Sequence, residues 1–306
     1  MKNMIEYYYD IKIDTIRTKD EYYTFNIKNK NYIFKPYYHN TLTAEAHLRL
    51  NNILYNNIPI NNIIPNKYNS PITIIDNNQY ILLEDKNNYK ISLPLISNIS
   101  NTQIPNTEFI KNLERNSWEI LWSNKIDYYE IQISENKKKF PLIRETIDYF
   151  IGMAENAISY LVNTKIETTP SIIDKKVLSH NSIYQSLFDA SNIIFDHKAR
   201  DLAEYIKYSF WSNNKNIFFE LNEYFNYNKY SEYGIRVLFS RILYPSFYFE
   251  LYDQIINSKK SEKELNKIIN KINEYEYYLY NIYIYLRKYY NIPEISWLKK
   301  QGINPR

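Results

Sequence analysis

A change of period near residue 88 constrains this chain more than any other feature. Before it, apolar residues come in short alternating runs. Beyond it, they recur at helical spacing for most of the remaining length. Ile11–Arg17, Tyr22–Lys28 and Asn31–Tyr37 read as three strands, because side chains on a strand alternate between its faces. Lys19-Asp20 and Asn29-Lys30 supply the hairpin turns between them. Thr43–Tyr55 reads as a helix with Ala44, Leu48 and Tyr55 on one side. Ile72–Ile75 and Tyr80–Leu83 form a second hairpin around Asp76-Asn77-Asn78. The order is β-β-β-α-β-β, followed by a polar stretch, Glu84–Tyr89, at the place of a hinge.

The rest is helical in pattern. A helix from Glu108 to about Ser134 carries Trp118, Leu121 and Trp122 on its apolar stripe. Leu142–Val162 places Ile143, Ile147, Phe150, Ile151, Ala154, Ile158 and Leu161 at helical spacing. Arg236–Ile256 continues the pattern, with Pro245 expected to kink or break it. Ser261 and Glu264 have the form of a capping box. A helix unbroken from there to Tyr290 would span about 43 Å. The expected architecture is α+β: a small antiparallel β lobe with one helix over residues 1–88, and a larger, mainly helical lobe over 89–306.

A chain of 306 residues buries roughly 75% of its unfolded surface. Its net charge of +4 is too small to argue for nucleic acid. Cysteine is absent, so disulfides and thiolate metal sites are excluded. The first residues contain no apolar run of signal-peptide length, and no window reaches about 18 uncharged apolar residues, so a soluble protein without a membrane span is expected. Tyrosine is abundant at 34 residues, while glycine is limited to Gly152, Gly234 and Gly302. Tyr, Asn, Ile and Lys share A/T-rich codons, which accounts for the bias. Oxidative cross-linking or stacking of tyrosines is the functional alternative.

One stretch has the layout of a phosphotransfer site. Kinase-like enzymes place an Asp two residues after a catalytic-loop His, an Asn five residues further on, and a second Asp in the next loop to hold magnesium. Here His180 is present, the catalytic Asp position holds Ser182, and five residues on lies Leu187. The second Asp survives as Asp196, only 14 positions after Ser182. A serine hydroxyl is a poor base at neutral pH unless another group activates it. On the nucleotide side, Lys35 ends the third strand and Glu45 lies ten residues on in the helix. This is the kind of Lys–Glu pair that kinases use on nucleotide phosphates. The other reading is two exposed charges. None of His39, His47, His180 and His197 shows a zinc spacing, and neither a P-loop nor a Gly-rich phosphate loop is present.

The segments Phe150–Ile158, Phe195–Ile206 and Arg236–Glu250, in that order, resemble the YutH-type spore coat proteins. These are relatives of the CotS group within the aminoglycoside phosphotransferase superfamily. The resemblance covers most of the chain and is strongest from Leu142 to Asp253. It implies a bilobal, protein-kinase-like (aminoglycoside phosphotransferase-like) fold. It also implies synthesis in the mother-cell cytoplasm and incorporation into the endospore coat beside other coat proteins. In such a fold His180 either acts in catalysis or braces its loop, and Asp196 is either a metal ligand or part of a structural cluster. Arg200 and Asp201 read as structural, with Asp201 and Glu204 forming a capping box at a helix start. Two functions compete: a catalytically impaired pseudokinase that works by docking, and an ATP- and Mg²⁺-dependent phosphotransferase, acting on a small molecule or a protein, with Asp189 or Asp196 as a displaced acid.

Overall fold

The computed structural model describes residues 1–303 except 20, 56–57, 59, 87–89, 105–107, 116, 137–138 and 184–187. The chain forms two compact units. The first comprises Met1–Arg115 and Lys176–Asp196, and the second Asn116–Lys175 and His197–Arg306. The first unit thus extends beyond residue 88 and is completed by a ribbon from the second half of the chain.

The first unit opens with helix α1 (Lys2–Tyr9), which buries Ile5 and Tyr9. Strands β1 (Ile16–Lys19), β2 (Tyr22–Ile27) and β3 (Lys30–Pro36) follow. The first strand was expected from Ile11, but residues 11–15 are a return from α1, where the Ile13 amide donates to Glu6 Oε1 at 2.7 Å. Helix α2 (Thr41–Leu54) starts at Asn40, whose side chain accepts from the Thr43 amide at 2.8 Å. Strands β4 (Asn62–Ile64), β5 (Thr73–Ile75) and β6 (Asn78–Asp85) complete an antiparallel sheet in the order β1-β2-β3-β6-β4, with β5 also on β6. Register sets Tyr23 opposite Phe34 and Phe34 opposite Leu82. Phe34 therefore packs with Phe25, Leu82, Ile75, Ile5 and Tyr9 in one core.

Two tight turns need positive φ, and neither has glycine. Lys28 and Asn29 take φ 49° and 65°, and Asp76 and Asn77 take 49° and 63°. This is the two-residue hairpin turn whose twist matches the strands, with Asn and Asp bearing most of the left-handed backbone. Strand β4 has only three residues and is held by α2: Asn51 donates to the Asn61 carbonyl at 2.9 Å and accepts from the Ile63 amide at 3.1 Å. After α3 (Leu93–Asn101), a 3-10 segment (Glu108–Leu113) leads to Glu114, which bridges Phe195. The ribbon of β7 (Lys176–His180) and β8 (Ile193–His197) closes the unit, apart from His197 itself.

In the second unit, α4 (Trp118–Asn136) and α5 (Pro141–Glu167) lead to a 3-10 turn (Ile172–Asp174). Helices α6 (Ala199–Trp211), α7 (Ile217–Tyr227), α8 (Glu232–Leu243), α9 (Ser246–Ile256), α10 (Asn266–Ile269), α11 (Ile272–Arg287) and α12 (Ser296–Ile303) follow. The single helix expected from Glu108 is a 3-10 segment and then α4. Pro245 separates α8 from α9 as expected, but the long helix expected from Ser261 is broken at Asn270-Lys271. Ser261 does cap, accepting from Lys263, while Glu264 pairs with Lys267 instead of reaching back. Tyrosine serves this core as a large apolar residue with a polar tip. Tyr248 stacks on Phe150 with centroids 3.8 Å apart, Tyr244 on Trp122 at 4.4 Å and Tyr129 on Phe249 at 4.6 Å.

The capping box that does form is Ser171–Asp174. Asp174 Oδ2 accepts from the Ser171 amide, the Ser171 hydroxyl and the Ser231 hydroxyl at 2.6–2.8 Å. Its other oxygen lies 2.5 Å from where a Cβ on Gly234 would stand. Gly234→Ala should therefore push a buried carboxylate off its donors and cost about 1–3 kcal/mol. A urea melt checks this, and an unchanged midpoint would mean that the Asp174 turn yields freely.

Candidate active site

Strand alternation buries Phe34 in the sheet core and turns the next residue, Lys35, to the opposite face. There its ammonium pairs with Asp189 Oδ2. Asp189 caps the 3-10 turn Ala190–Asn192, its Oδ1 accepting from the Ser191 amide at 2.9 Å and the Ser191 hydroxyl at 2.6 Å. Both carboxylate oxygens are thus engaged, and the side chains of Lys35 and Asp189 are only 18% and 8% exposed. Burial alone would raise the carboxyl's pKa. The Lys35 charge and the hydrogen bonds from Lys35 and Ser191 outweigh it and hold Asp189 below the ordinary carboxylate range. The expected partner, Glu45, is exposed on α2 and is not the carboxylate that meets Lys35. Ten-residue spacing placed a Glu on the helix without aiming it at the lysine.

Beside this pair, His47 is buried on α2 between Tyr37 and the ribbon. Its Nε2 lies 2.7 Å from the Ile193 carbonyl, which can only accept, so Nε2 carries the hydrogen. Nδ1 then accepts from the Tyr37 hydroxyl at 2.9 Å. Burial pushes this imidazole down to about 4, with the Ile193 bond opposing the shift in part. His39, whose ring lies edge-on to those of Tyr37 and His47, is also lowered, by burial first and then by the charges of Arg115 and Lys35. No local motif marks His47, because the Ile193 carbonyl that it meets is 146 positions away.

The ribbon carries the His180–Ser182 segment that the kinase spacing singled out. His180 ends β7 and is fully buried. The Asn181 amide donates to the Asn192 carbonyl at 2.9 Å. The Ser182 amide donates to Asn192 Oδ1 at 3.3 Å, and Asn192 Nδ2 donates back to the Ser182 carbonyl at 2.5 Å. Arg115 joins both strands, its side chain donating to Asn181 Oδ1 at 3.1 Å and its amide to the Phe195 carbonyl at 3.0 Å. Ser182 Oγ is buried with no hydrogen-bond partner among the described residues. Asp196 is buried in β8. Leu187 lies outside the described residues. Among those described, no cluster of three His, Cys, Asp or Glu side chains is placed to hold a metal ion.

Arg200 and Asp201 are buried in the second unit. The expected capping box does not form: α6 begins at Ala199, which sets Asp201 inside the first turn. There its charge favours the helix N-terminus through the dipole. Glu204 belongs to a buried ion cluster. It accepts from Lys207 at 3.0 Å and from Ser246 at 3.0 Å, and Arg241 Nη2 lies 3.0 Å away. Lys207 is held further by the carbonyls of Arg241 and Tyr244 at 3.2 and 3.1 Å. Burial would raise Glu204, but the Lys207 and Arg241 charges outweigh it and lower its pKa.

His47 sets a pH dependence. It is neutral in the fold, whereas an unfolded His takes its proton near 6.5. Between about 6.5 and 4 the unfolded state binds the extra proton, so stability is complete above that window and falls as pH drops through it. Between pH 7 and pH 5 the loss from this group should be roughly 2 kcal/mol. Urea melts of the parent and of His47→Gln at both pH values should show the larger loss in the parent. Equal losses would show that His47 is not the group that titrates.

Comparison with known proteins places this geometry. The family model described as "Spore coat putative kinase YutH" matches residues 2–282. A curated relative, the endospore coat-associated protein YutH of Bacillus subtilis (strain 168), is 30% identical over 209 residues, 60% of this chain; the match spans 61% of the relative's length. Spectinomycin phosphotransferase APH(9)-Ia, solved with ADP and spectinomycin, superposes with a TM-score of 0.58 at 16% identity, covering 87% of this chain and 91% of that one. An aminoglycoside phosphotransferase from Alicyclobacillus acidocaldarius gives 0.56 at 10% identity, covering 94% and 97%. The fold is therefore kinase-like, with an antiparallel-sheet unit and a larger helical one, as the element order led us to expect.

Proposed function

The chain belongs to the YutH family of spore coat proteins, and from that premise we propose that it is a pseudokinase: a kinase-like coat component that works by docking to other coat proteins and not by phosphoryl transfer. It is made in the mother-cell cytoplasm and then joins the coat. The observation that carries this reading is the Lys35–Asp189 pair. Kinases keep the strand-three lysine for nucleotide phosphates and hold it with a helix Glu. Here a buried carboxylate from the ribbon neutralises it. The residues present also fit Mg²⁺ and ATP poorly. Asp196 is the one carboxylate at the magnesium-binding positions, since Leu187 stands where the second ligand belongs, and a single carboxylate is a weak Mg²⁺ site. With Ser182 in place of the base, a contribution of 10²–10⁴-fold is also missing. The displaced-acid alternative finds Asp189 already committed to Lys35 and Ser191.

A thermal melt with ATP and Mg²⁺ tests this reading. A ligand at 100 times its dissociation constant adds about 2.7 kcal/mol. We expect no such shift and no transfer of radiolabelled phosphate. Robust turnover that is lost in Asp196→Ala would identify an unusual kinase and overturn the proposal.

A further inference from the structure

Outside the candidate site, two exposed tyrosines meet hydroxyl to hydroxyl. Tyr7 projects from α1 and Tyr68 from the loop after β4. They are 57% and 63% exposed, and their phenol oxygens lie 3.4 Å apart. Another phenol–phenol contact, Tyr224–Tyr230, is buried. The placement is built. Asn66 accepts from the Tyr68 and Ser70 amides at 3.0 and 3.2 Å and donates to the Ile72 carbonyl at 3.0 Å, which fixes the loop. The Lys67 amide donates to the Tyr8 carbonyl at 2.8 Å, which ties the loop to the end of α1. The Lys67 ammonium sits 3.2 Å from the Tyr7 ring centroid and 5.5 Å from that of Tyr68. The Tyr8 ring stands edge-on to both, at 5.3 and 6.3 Å.

We propose that Tyr7 and Tyr68 are a site of oxidative coupling, joined through their ortho carbons by a peroxide-consuming one-electron oxidant. The chemistry follows from the contact. Removing an electron and a proton from a phenol leaves a radical spread over the oxygen and the ortho and para carbons. In tyrosine the para carbon bears the side chain, so the ortho carbons beside the hydroxyl remain to couple. Two phenols that meet at their hydroxyls already present those edges to each other. Each ring loses one electron and its phenolic proton, and the two radicals form a carbon–carbon bond. Each ortho carbon then releases its proton and each oxygen regains one. The two electrons and two net protons reduce one peroxide, breaking its O–O bond to give two waters. The Tyr7 pKa is lowered, by its hydrogen bond with Tyr68 first and by the Lys67 charge next. The bond would span 61 positions in a chain that has no cysteine to make a staple of its own, and such a cross-link restricts the unfolded chain as a disulfide does.

The test uses the full chain at high dilution with a haem peroxidase and limiting hydrogen peroxide. We expect dityrosine fluorescence in the monomer band. A peptide joining Tyr7 to Tyr68, lighter by two hydrogens than the separate peptides, should dominate the map, and the coupled chain should melt higher. Tyr7→Phe and Tyr68→Phe should each abolish that peptide without moving the melt of the untreated protein, whereas Tyr8→Phe should keep it. A map dominated by other exposed tyrosines such as Tyr38, Tyr227 or Tyr289, or by joins between chains, would overturn the proposal. Undiminished monomer fluorescence in Tyr7→Phe would do so as well.

Discussion

Lys35 and Asp189 are 154 positions apart, and the pair exists only because the ribbon around Asp189 returns to the N-terminal sheet. Among the contacts that seat that return are the ion pair itself, the bond between His47 and the Ile193 carbonyl, and the Asn61 amide donating to the Phe188 carbonyl at 2.7 Å. Each joins a residue of the sheet unit's first segment to the stretch 188–193. A sheltered pair of this kind adds little over apolar packing, but removing one member strands a charge at a cost of about 3–5 kcal/mol. The pair thus specifies where the ribbon lies, and in doing so it engages the lysine that a kinase would keep for phosphate.

What the sequence disclosed follows from range. Strands β2 and β3, helix α2 and the β5–β6 hairpin were legible because alternation, helical period and Asn- or Asp-bearing turns are local signals. Helix α1 was not, since eight residues give too short a period to read. Strand β4 was missed because Asn51, a residue of another element, holds its three residues. At the site, His180, Ser182, Asp196 and Lys35 could be nominated from spacing. The pairing of Lys35 could not, because spacing points to a Glu ten residues on, whereas the partner, Asp189, lies 154 positions away. The Asp201–Glu204 pattern misled for a related reason: Glu204 answers to Lys207, Arg241 and Ser246, which no local motif reveals.

Composition shaped the solution as well. With three glycines in 306 residues, the tight hairpin turns fall to Asn, Asp and Lys at positive φ. With 34 tyrosines, the helical core takes up fully buried phenols, among them Tyr129, Tyr248, Tyr252 and Tyr275, each at most 1% exposed. Phenols differ from phenylalanine in needing partners for their hydroxyls when buried, and Thr146 and Asp253 supply them for Tyr248 and Tyr129. Packing accounts for how these buried tyrosines are used.

The measurement closest to the central claim is a double-mutant cycle in urea with Lys35→Met, Asp189→Asn and the two together. If Asp189 holds Lys35 as described, each single variant is destabilised and the double variant recovers part of the loss, giving a coupling of about 2 kcal/mol or more. Single effects that add to within about 0.5 kcal/mol would contradict the pairing, and with it the claim that this lysine is committed to Asp189.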